Sequence, residues 1–330
     1  MIDALAPKQV AHRAEYVGVF MQIQANESIL KIKSPSTKQF SELLKQYHPF
    51  IIKDVAQYWD ACNNWTNDYL IKKCGNNLVP VRFFKKDFWQ DYKNFAYEDG
   101  YETPKEMKLE EYINNHIEDR VSKNNNLHSL ECYLNQAYFE ERFPEIIGDI
   151  TYPEYFNRKA FVMLWFGLSS KSFSSNSPLH FDLSHNIFAQ IRGRKRVLLF
   201  PPSNYLSFYP PLEARSGAAY DSKVNPDLLN LELFPKFPWQ EKIEFVLQPG
   251  EILYLPPFWW HRMTAVDDNI SLSFWYDVKI QDFFWQKNML SVFLKTAPYY
   301  LYHSISVGNL TFKDFIIFIR QFLIDTIVTK

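Results

Sequence analysis

Apolar positions change their spacing along this chain, and the change marks out its parts. In the first half, helical and extended spacings alternate. Ser36 to Tyr47 reads as a helix opened at Ser34-Pro35 or Ser36, and Trp65 to Lys73 as a second, with Thr66 available as its cap. Met107 to Asn115 reads as a third, amphipathic helix. Between them, Pro49-Phe50-Ile51-Ile52 and Val79 to Phe84 have the look of short strands. From about Lys159 to Val278 short apolar runs take over, separated by Pro, Gly and Asn turns. Phe161 to Phe166 is one. Ile187 to Ile191 and Arg194 to Phe200 flank Gly193 as a hairpin would, and Ile243 to Leu247 and Ile252 to Leu255 flank the turn Gln248-Pro249-Gly250-Glu251. Ile270 to Tyr276 alternates apolar with small polar residues. Strands this short and this frequent predict a sandwich or barrel. Beyond Val278 helical spacing returns, with a stripe through Phe312, Phe315, Ile316, Ile319 and Phe322. The expected organisation is a supporting α/β segment over 1–155, a β core over 156–278 and a helical extension over 279–330.

Composition adds bounds. With 47% hydrophobic and 22% charged residues over 330 positions, the chain is an ordinary globular protein with ample length for a large core. Aromatic residues reach 18%, which suits a wide core or a lined pocket and is equally compatible with compositional drift. A net charge of −1 disfavours nucleic acid as partner, because a protein that grips phosphates carries a basic excess or stripe. Short runs such as Lys31-Ile32-Lys33 and Lys85-Lys86 read as solvated faces. Cys62, Cys74 and Cys132 show no metal-type pair spacing and read as plain thiols of a reducing compartment. The start Met1-Ile2-Asp3-Ala4 lacks a signal peptide's apolar run, and the most apolar tract, Phe315 to Val328, is broken by Arg320, Gln321 and Asp325. The expectation is a cytoplasmic or nuclear protein with no membrane partner.

The sharpest local feature is Ser177-Pro178-Leu179-His180-Phe181-Asp182. Positions two apart in a strand share a face, so His180 and Asp182 present an imidazole and a carboxylate to one point. A second imidazole, His261, follows about 80 residues later, behind Pro256-Pro257-Phe258-Trp259-Trp260. Two histidines and one carboxylate on one face of an octahedron characterise non-haem iron(II) oxygenases. Taken alone, His-x-Asp recurs often by chance, and on that motif by itself His180 reads more simply as a hydrogen-bonded strand residue. Lys195 sharpens the case. If Arg194 to Phe200 is a strand, Lys195 shares the apolar face of Val197 and Leu199, and a buried ammonium calls for an anionic partner such as a ligand carboxylate. The alternative, Lys195 snorkelling from a frayed edge, stays open on this ground alone. His185 falls out of step with His180 and Asp182 and is assigned to surface or loop; Trp259 and Trp260 are assigned to packing.

Taken together, these blocks resemble the small JmjC hydroxylases, the cupin-like group that includes protein asparaginyl, arginyl and lysyl hydroxylases. The matching stretches are Tyr133-Leu134-Asn135-Gln136, Trp165-Phe166-Gly167, Ser177 to Asp182, Asn186 to Ile191 and Gly193 to Pro202. Asn225-Pro226-Asp227, Gln248 to Pro256, Trp259-Trp260-His261 and Ser273-Phe274-Trp275 complete the set. The resemblance runs from about Pro49 to Val278 and implies a mainly β protein with flanking helices, a double-stranded β-helix (jelly-roll) barrel with iron(II) at one end. It also implies His180, Asp182 and His261 as metal ligands, and Lys195 on the distal carboxylate of 2-oxoglutarate with help from the hydroxyls of Tyr133 and Ser177. Asn186 would stand near the metal-proximal carboxylate, and Ser273 would line the cosubstrate pocket. Trp165 and Trp275 are candidates for the substrate mouth and equally for core. The implied reaction couples oxidative decarboxylation of 2-oxoglutarate by dioxygen to hydroxylation of a substrate.

Three functions compete. The leading expectation is hydroxylation of a protein or peptide side chain. The second is hydroxylation of a modified tRNA base, which the charge balance disfavours. The third, a non-redox cupin-fold binding protein, sits badly with the intact donor set and Lys195. Histone demethylation ranks lower, since no chromatin-reading module accompanies the compact chain. The apolar stripe of the tail points to packing on the core or, preferably, to a homodimer.

Overall fold

A computed structural model describes residues 29–85, 104–118, 130–156, 159–168, 177–202, 204–211 and 220–278. The tail stripe from Phe312 to Phe322 lies outside the described residues, as does Lys86.

Among the described residues, twelve strands are distributed over two sheets. The larger contains β1 (Leu30–Lys33), β2 (Phe50–Lys53), β3 (Leu78–Lys85), β4 (Lys105–Lys108), β5 (Leu130–Tyr138), β6 (Phe161–Gly167), β7 (His185–Arg192), β10 (Ile252–Leu255) and β12 (Asn269–Tyr276). Their order is β1-β2-β10-β7-β12-β6-β5-β3-β4, so strands from both halves of the sequence share one ladder. The smaller holds β8 (Lys195–Phe200), β9 (Ile243–Leu247) and β11 (Trp260–Ala265) in the order β11-β8-β9. The architecture is a jelly-roll sandwich, and among the described residues no named strand pairs across the two sheets to close a barrel.

This arrangement corrects one expectation. The segments flanking Gly193 do not form a hairpin: β7 bonds to β10 and β12, whereas β8 bonds to β11 and β9. The segments flanking Gly250 likewise fall in different sheets. Both turns carry the chain from one sheet to the other. Local sequence specifies the reversal but not the partner, which the two sheet faces decide. Gly193 and Gly250 stand at φ 65° and 82°, where a side chain is disfavoured.

Alternation assigns each face of the large sheet. Ile187, Ala189, Ile252, Tyr254, Leu272 and Phe274 belong to a core that also buries Phe40, Trp59, Leu70 and Leu109 of the helical layer. That layer includes α1 (Thr37–Leu44), α2 (Asp60–Asn64), α3 (Asn67–Cys74) and α4 (Leu109–Tyr112). Ser36 caps α1 in a reciprocal box with Gln39, and Thr66 caps α3 by accepting from the Tyr69 N–H at 3.2 Å. The third expected helix begins later than its sequence pattern and runs further: Lys105–Lys108 is strand β4 and pairs with β3, α4 follows, and a π-helical stretch, Ile113–Glu118, continues it. The opposite face of the large sheet looks toward the small sheet. There Ile51, Phe188, Leu253 and Leu255 pack on Val197, Leu199 and Trp259. At one end of this interlayer the apolar filling gives way to a cavity. No helix among the described residues is long and apolar enough to cross a membrane.

Candidate metal centre

The cavity has a volume of about 130 Å³ and is walled by both sheets. Residues 177–182 run alongside the start of β11 as an extra, irregular strand. His180 and His261 exchange backbone hydrogen bonds at 3.0 and 2.6 Å, the Ser177 N–H donates to the Met263 carbonyl at 3.0 Å, and the Phe258 N–H donates to the Asp182 carbonyl at 2.8 Å. Residues paired directly across an antiparallel ladder point the same way, which brings His261 beside His180, and the two-residue step adds Asp182. The ligating atoms of the three side chains lie within 4.8 Å of one another. Nε2 of His261 is 3.7 Å from Oδ2 of Asp182.

Both imidazoles are locked in the same sense. Nδ1 of His180 donates to the Pro178 carbonyl and Nδ1 of His261 to the Trp259 carbonyl, each at 3.0 Å. A carbonyl only accepts, so each Nδ1 carries the proton and each Nε2 keeps its lone pair for a metal. Burial raises the Asp182 carboxyl above its ordinary range against the pull of His180. Burial, and then His180, hold the His261 imidazole well below its ordinary value, against the hydrogen bond to Trp259. Two imidazoles with Nδ1 tied to backbone carbonyls and a carboxylate beside them form a site that a divalent cation completes; two nitrogens and one oxygen suit iron(II).

Lys195 enters from β8. It is 2% exposed, its Nζ lies 5.1 Å from the Phe188 ring centroid, and no carboxylate of the described residues forms an ion pair with it. Burial pulls its ammonium down to about 7. A cation held among aromatic and aliphatic walls, facing the same cavity as the metal ligands, is completed by an anionic ligand.

The remaining expected residues gather here too. Tyr133, Ser177, Asn186, Ser273, Trp165 and Trp275 all line the cavity. The Ser177 hydroxyl accepts from the Met263 N–H at 3.1 Å, and the Ser273 hydroxyl from the Trp165 indole N–H at 3.0 Å. With an acceptor site filled in each case, the hydroxyl proton is left to donate into the cavity. The buried Asn186 Oδ1 has no hydrogen-bond partner among the described residues. The rings of Trp165 and Trp275 meet edge to face at 6.4 Å.

Other lining residues were not anticipated. Asp221 is buried and bridges His180 through the backbone, so it shares the face of the metal ligands. Asn135 and Gln136 sit where the β5–β6 register shifts between Leu134 and Ala137, and Gln136 adopts φ 57°. Both fall within the matched block Tyr133 to Gln136, but a bulge has no signature in residue type that would have aimed them inward. The assignment of His185 to surface or loop is wrong: it is buried at the start of β7, on the helical side, with Nδ1 2.9 Å from the Tyr254 hydroxyl. Trp259 and Trp260 are packed at 2% and 0% exposure.

Sequence comparison bears on this geometry. The profile of the cupin-like domain family matches residues 36–282. Jumonji C domain-containing protein 5 of Drosophila melanogaster is 24% identical over 268 residues, covering 78% of this chain and 61% of the fly protein. Lysine-specific demethylase 8 of Xenopus tropicalis is 28% identical over 262 residues, 77% of this chain and 54% of the frog protein. The tRNA wybutosine-synthesizing protein 5 of Danio rerio is 28% identical over 247 residues, 71% and 70% of the respective chains. The match thus spans little more than half the length of the first two relatives.

Proposed function

Because the chain belongs to the cupin-like family, and its cavity sets a two-histidine, one-carboxylate cluster beside a buried lysine, we propose that it is an iron(II)- and 2-oxoglutarate-dependent dioxygenase that hydroxylates a protein side chain. Lys195 carries the reading. A bare metal-binding cupin has no use for a desolvated ammonium in the same cavity, whereas a dicarboxylate that reaches the metal with one end needs a cation for the other.

Bound iron(II), with 2-oxoglutarate and dioxygen, supplies the oxidising chemistry. The chain supplies the rest. Nε2 of His180, Nε2 of His261 and the Asp182 carboxylate hold the metal, their orientation fixed by the two Nδ1–carbonyl bonds. Lys195 neutralises the distal carboxylate, and the hydroxyls of Ser177 and Tyr133 donate to it. Asn186 serves the metal-proximal end and Ser273 the pocket wall. Trp165 and Trp275 flank the entry, exclude water and confine a side chain.

A protein substrate accords with the net charge of −1, which provides no excess of cations for a polyphosphate backbone. The tRNA reading has its own support in the likeness to the wybutosine-synthesizing protein, of which 70% is covered. The discriminating experiment supplies the iron(II) protein with 2-oxoglutarate, isotopically heavy dioxygen and either a proteome digest or bulk tRNA, followed by mass spectrometry. One heavy oxygen retained on a peptide side chain is the expected result. Label confined to nucleosides, or methyl groups lost from lysine without retained label, would overturn the protein-hydroxylase reading.

A further inference from the structure

The small sheet carries a second pattern on the face turned away from the cavity. Alternation along β8 places Lys195 inside and Arg196 outside; along β11 it places His261 inside and Arg262 outside. Both outward guanidinium groups reach the Asp227 carboxylate, and Arg196 also meets Oε1 of Glu244 on β9 through Nε at 2.7 Å. Nη1 of Arg196 lies 2.5 Å from Oδ1 of Asp227, and Nη2 of Arg262 lies 2.8 Å from Oδ2. Arg262 stands opposite Leu198 and Arg196 opposite Thr264, so the two arginines are diagonal neighbours and Asp227 clips β8 to β11. The clip is anchored in turn: the Asp227 N–H donates to Oδ1 of Asn225 at 3.1 Å, at the mouth of the tight turn Pro226–Leu228.

The inner arm of the clip is deeply placed. Arg262 is 3% exposed, and its Nε and Nη1 make no hydrogen bond among the described residues. A guanidinium this desolvated follows the one carboxylate that meets it. Burial pushes the Asp227 carboxyl up, but Arg262 and Arg196 outweigh that and hold it below its ordinary range, so the clip is ionised at neutral pH.

We infer that Asp227 is a positioning residue that sets the distance between the His261 imidazole and the Lys195 ammonium, and through it the fit of a ligand that must reach both. The inference rests on the proposed use of the cavity for a metal and 2-oxoglutarate. The two arms act separately: Arg262 fixes the strand residue beside His261, and Arg196 the one beside Lys195. A metal ion alone feels the first arm; a dicarboxylate spanning metal and ammonium feels both.

Cobalt(II) is a suitable probe, since it accepts the same nitrogen and oxygen donors and its visible absorption reports their geometry. The measurements are cobalt(II) affinity and then 2-oxoglutarate affinity of the cobalt-loaded protein, both by calorimetry. Asp227→Asn should weaken each by about tenfold, the low end for groups that orient metal ligands, and should alter the cobalt spectrum. Asp227→Glu, which keeps the charge, should recover part of both losses. Arg196→Gln should spare cobalt and weaken 2-oxoglutarate about threefold, as expected for a partly exposed ion pair, whereas Glu244→Gln, which removes only the second partner of Arg196, should leave both affinities as they are. Arg194→Gln breaks a different ion pair beside Lys195, the 2.7 Å contact with Asp267, and should change neither affinity. An Asp227→Asn protein that binds both ligands as the unsubstituted chain does would overturn the inference, as would equal losses in Arg194→Gln and Arg196→Gln. If Asp227→Asn fails to fold, Arg196→Gln decides, and unchanged 2-oxoglutarate affinity there counts against the clip. An unsubstituted cobalt protein that ignores 2-oxoglutarate would instead sink the oxygenase reading, and the inference with it.

Discussion

At the scale of single residues, Lys195 is where strand parity becomes chemistry. Strand parity offered its inward direction as one of two readings, and the structure decides for it: Lys195 lies on the same side of β8 as Val197 and Leu199 and lines the cavity. His185 shows what parity leaves out. It does turn to the face away from His180 and Asp182, but the helical layer covers that face of β7, so the side chain is buried against Phe156 and Tyr254 rather than exposed. Burial brings the Lys195 ammonium down to about 7. Between that value and the ordinary lysine range the unfolded chain holds the proton and the folded chain sheds it, so Lys195 costs stability below 7 and that cost fades as pH rises. Ligand binding runs the other way. An anion needs the charged form, so 2-oxoglutarate affinity of the metal-loaded protein should fall as pH rises from 7 to 9. Lys195→Arg, which keeps its charge throughout, should show a flatter profile. Lys195→Ala should lose at least about tenfold in 2-oxoglutarate affinity while still binding the metal. Calorimetric titration at several pH values checks all three outcomes; a wild-type affinity that does not change over this range would separate Lys195 from the distal carboxylate.

Elements were more legible than their pairing. Capping residues, turn residues and alternation located α1, α3 and most of the core strands close to their observed limits. What local pattern could not specify was that the turns at Gly193 and Gly250 pass the chain between sheets, because the same residues serve a hairpin and a sheet crossing alike. The shift in β5 that turns Asn135 and Gln136 inward was equally hidden, since it depends on the register against β6. Gly193 makes a sharp test of the crossing. A β-carbon there would sit 1.9 Å from the Asp268 carbonyl oxygen, on backbone already at φ 65°. Gly193→Ala should therefore destabilise by more than about 1 kcal/mol, read as a lowered denaturant midpoint at unchanged slope. An unchanged midpoint would mean that the turn relaxes freely and does not hold the two sheets in place.

On the scale of the whole molecule, one sandwich brings together residues from distant parts of the sequence. Tyr133 and Trp165 come from one half of the large sheet, Ser273 and Trp275 from β12, Lys195 from the small sheet and His180 from the segment beside it. The donor set was readable only jointly, because His-x-Asp recurs by chance and it took Lys195 and the matching blocks along the chain to single out His180, Asp182 and His261. Asp221 carried no such signal, since only the backbone bridge to His180 turns it to that face. The central claim is that this cavity performs iron(II)-dependent oxidation of 2-oxoglutarate. Its most direct test is succinate formation by the purified chain at fixed micromolar iron(II), compared with Asp182→Ala. The account predicts a slow, iron-dependent yield from the unsubstituted protein, and a loss of at least about a hundredfold when one of three ligands is removed. Full succinate production by Asp182→Ala would contradict it.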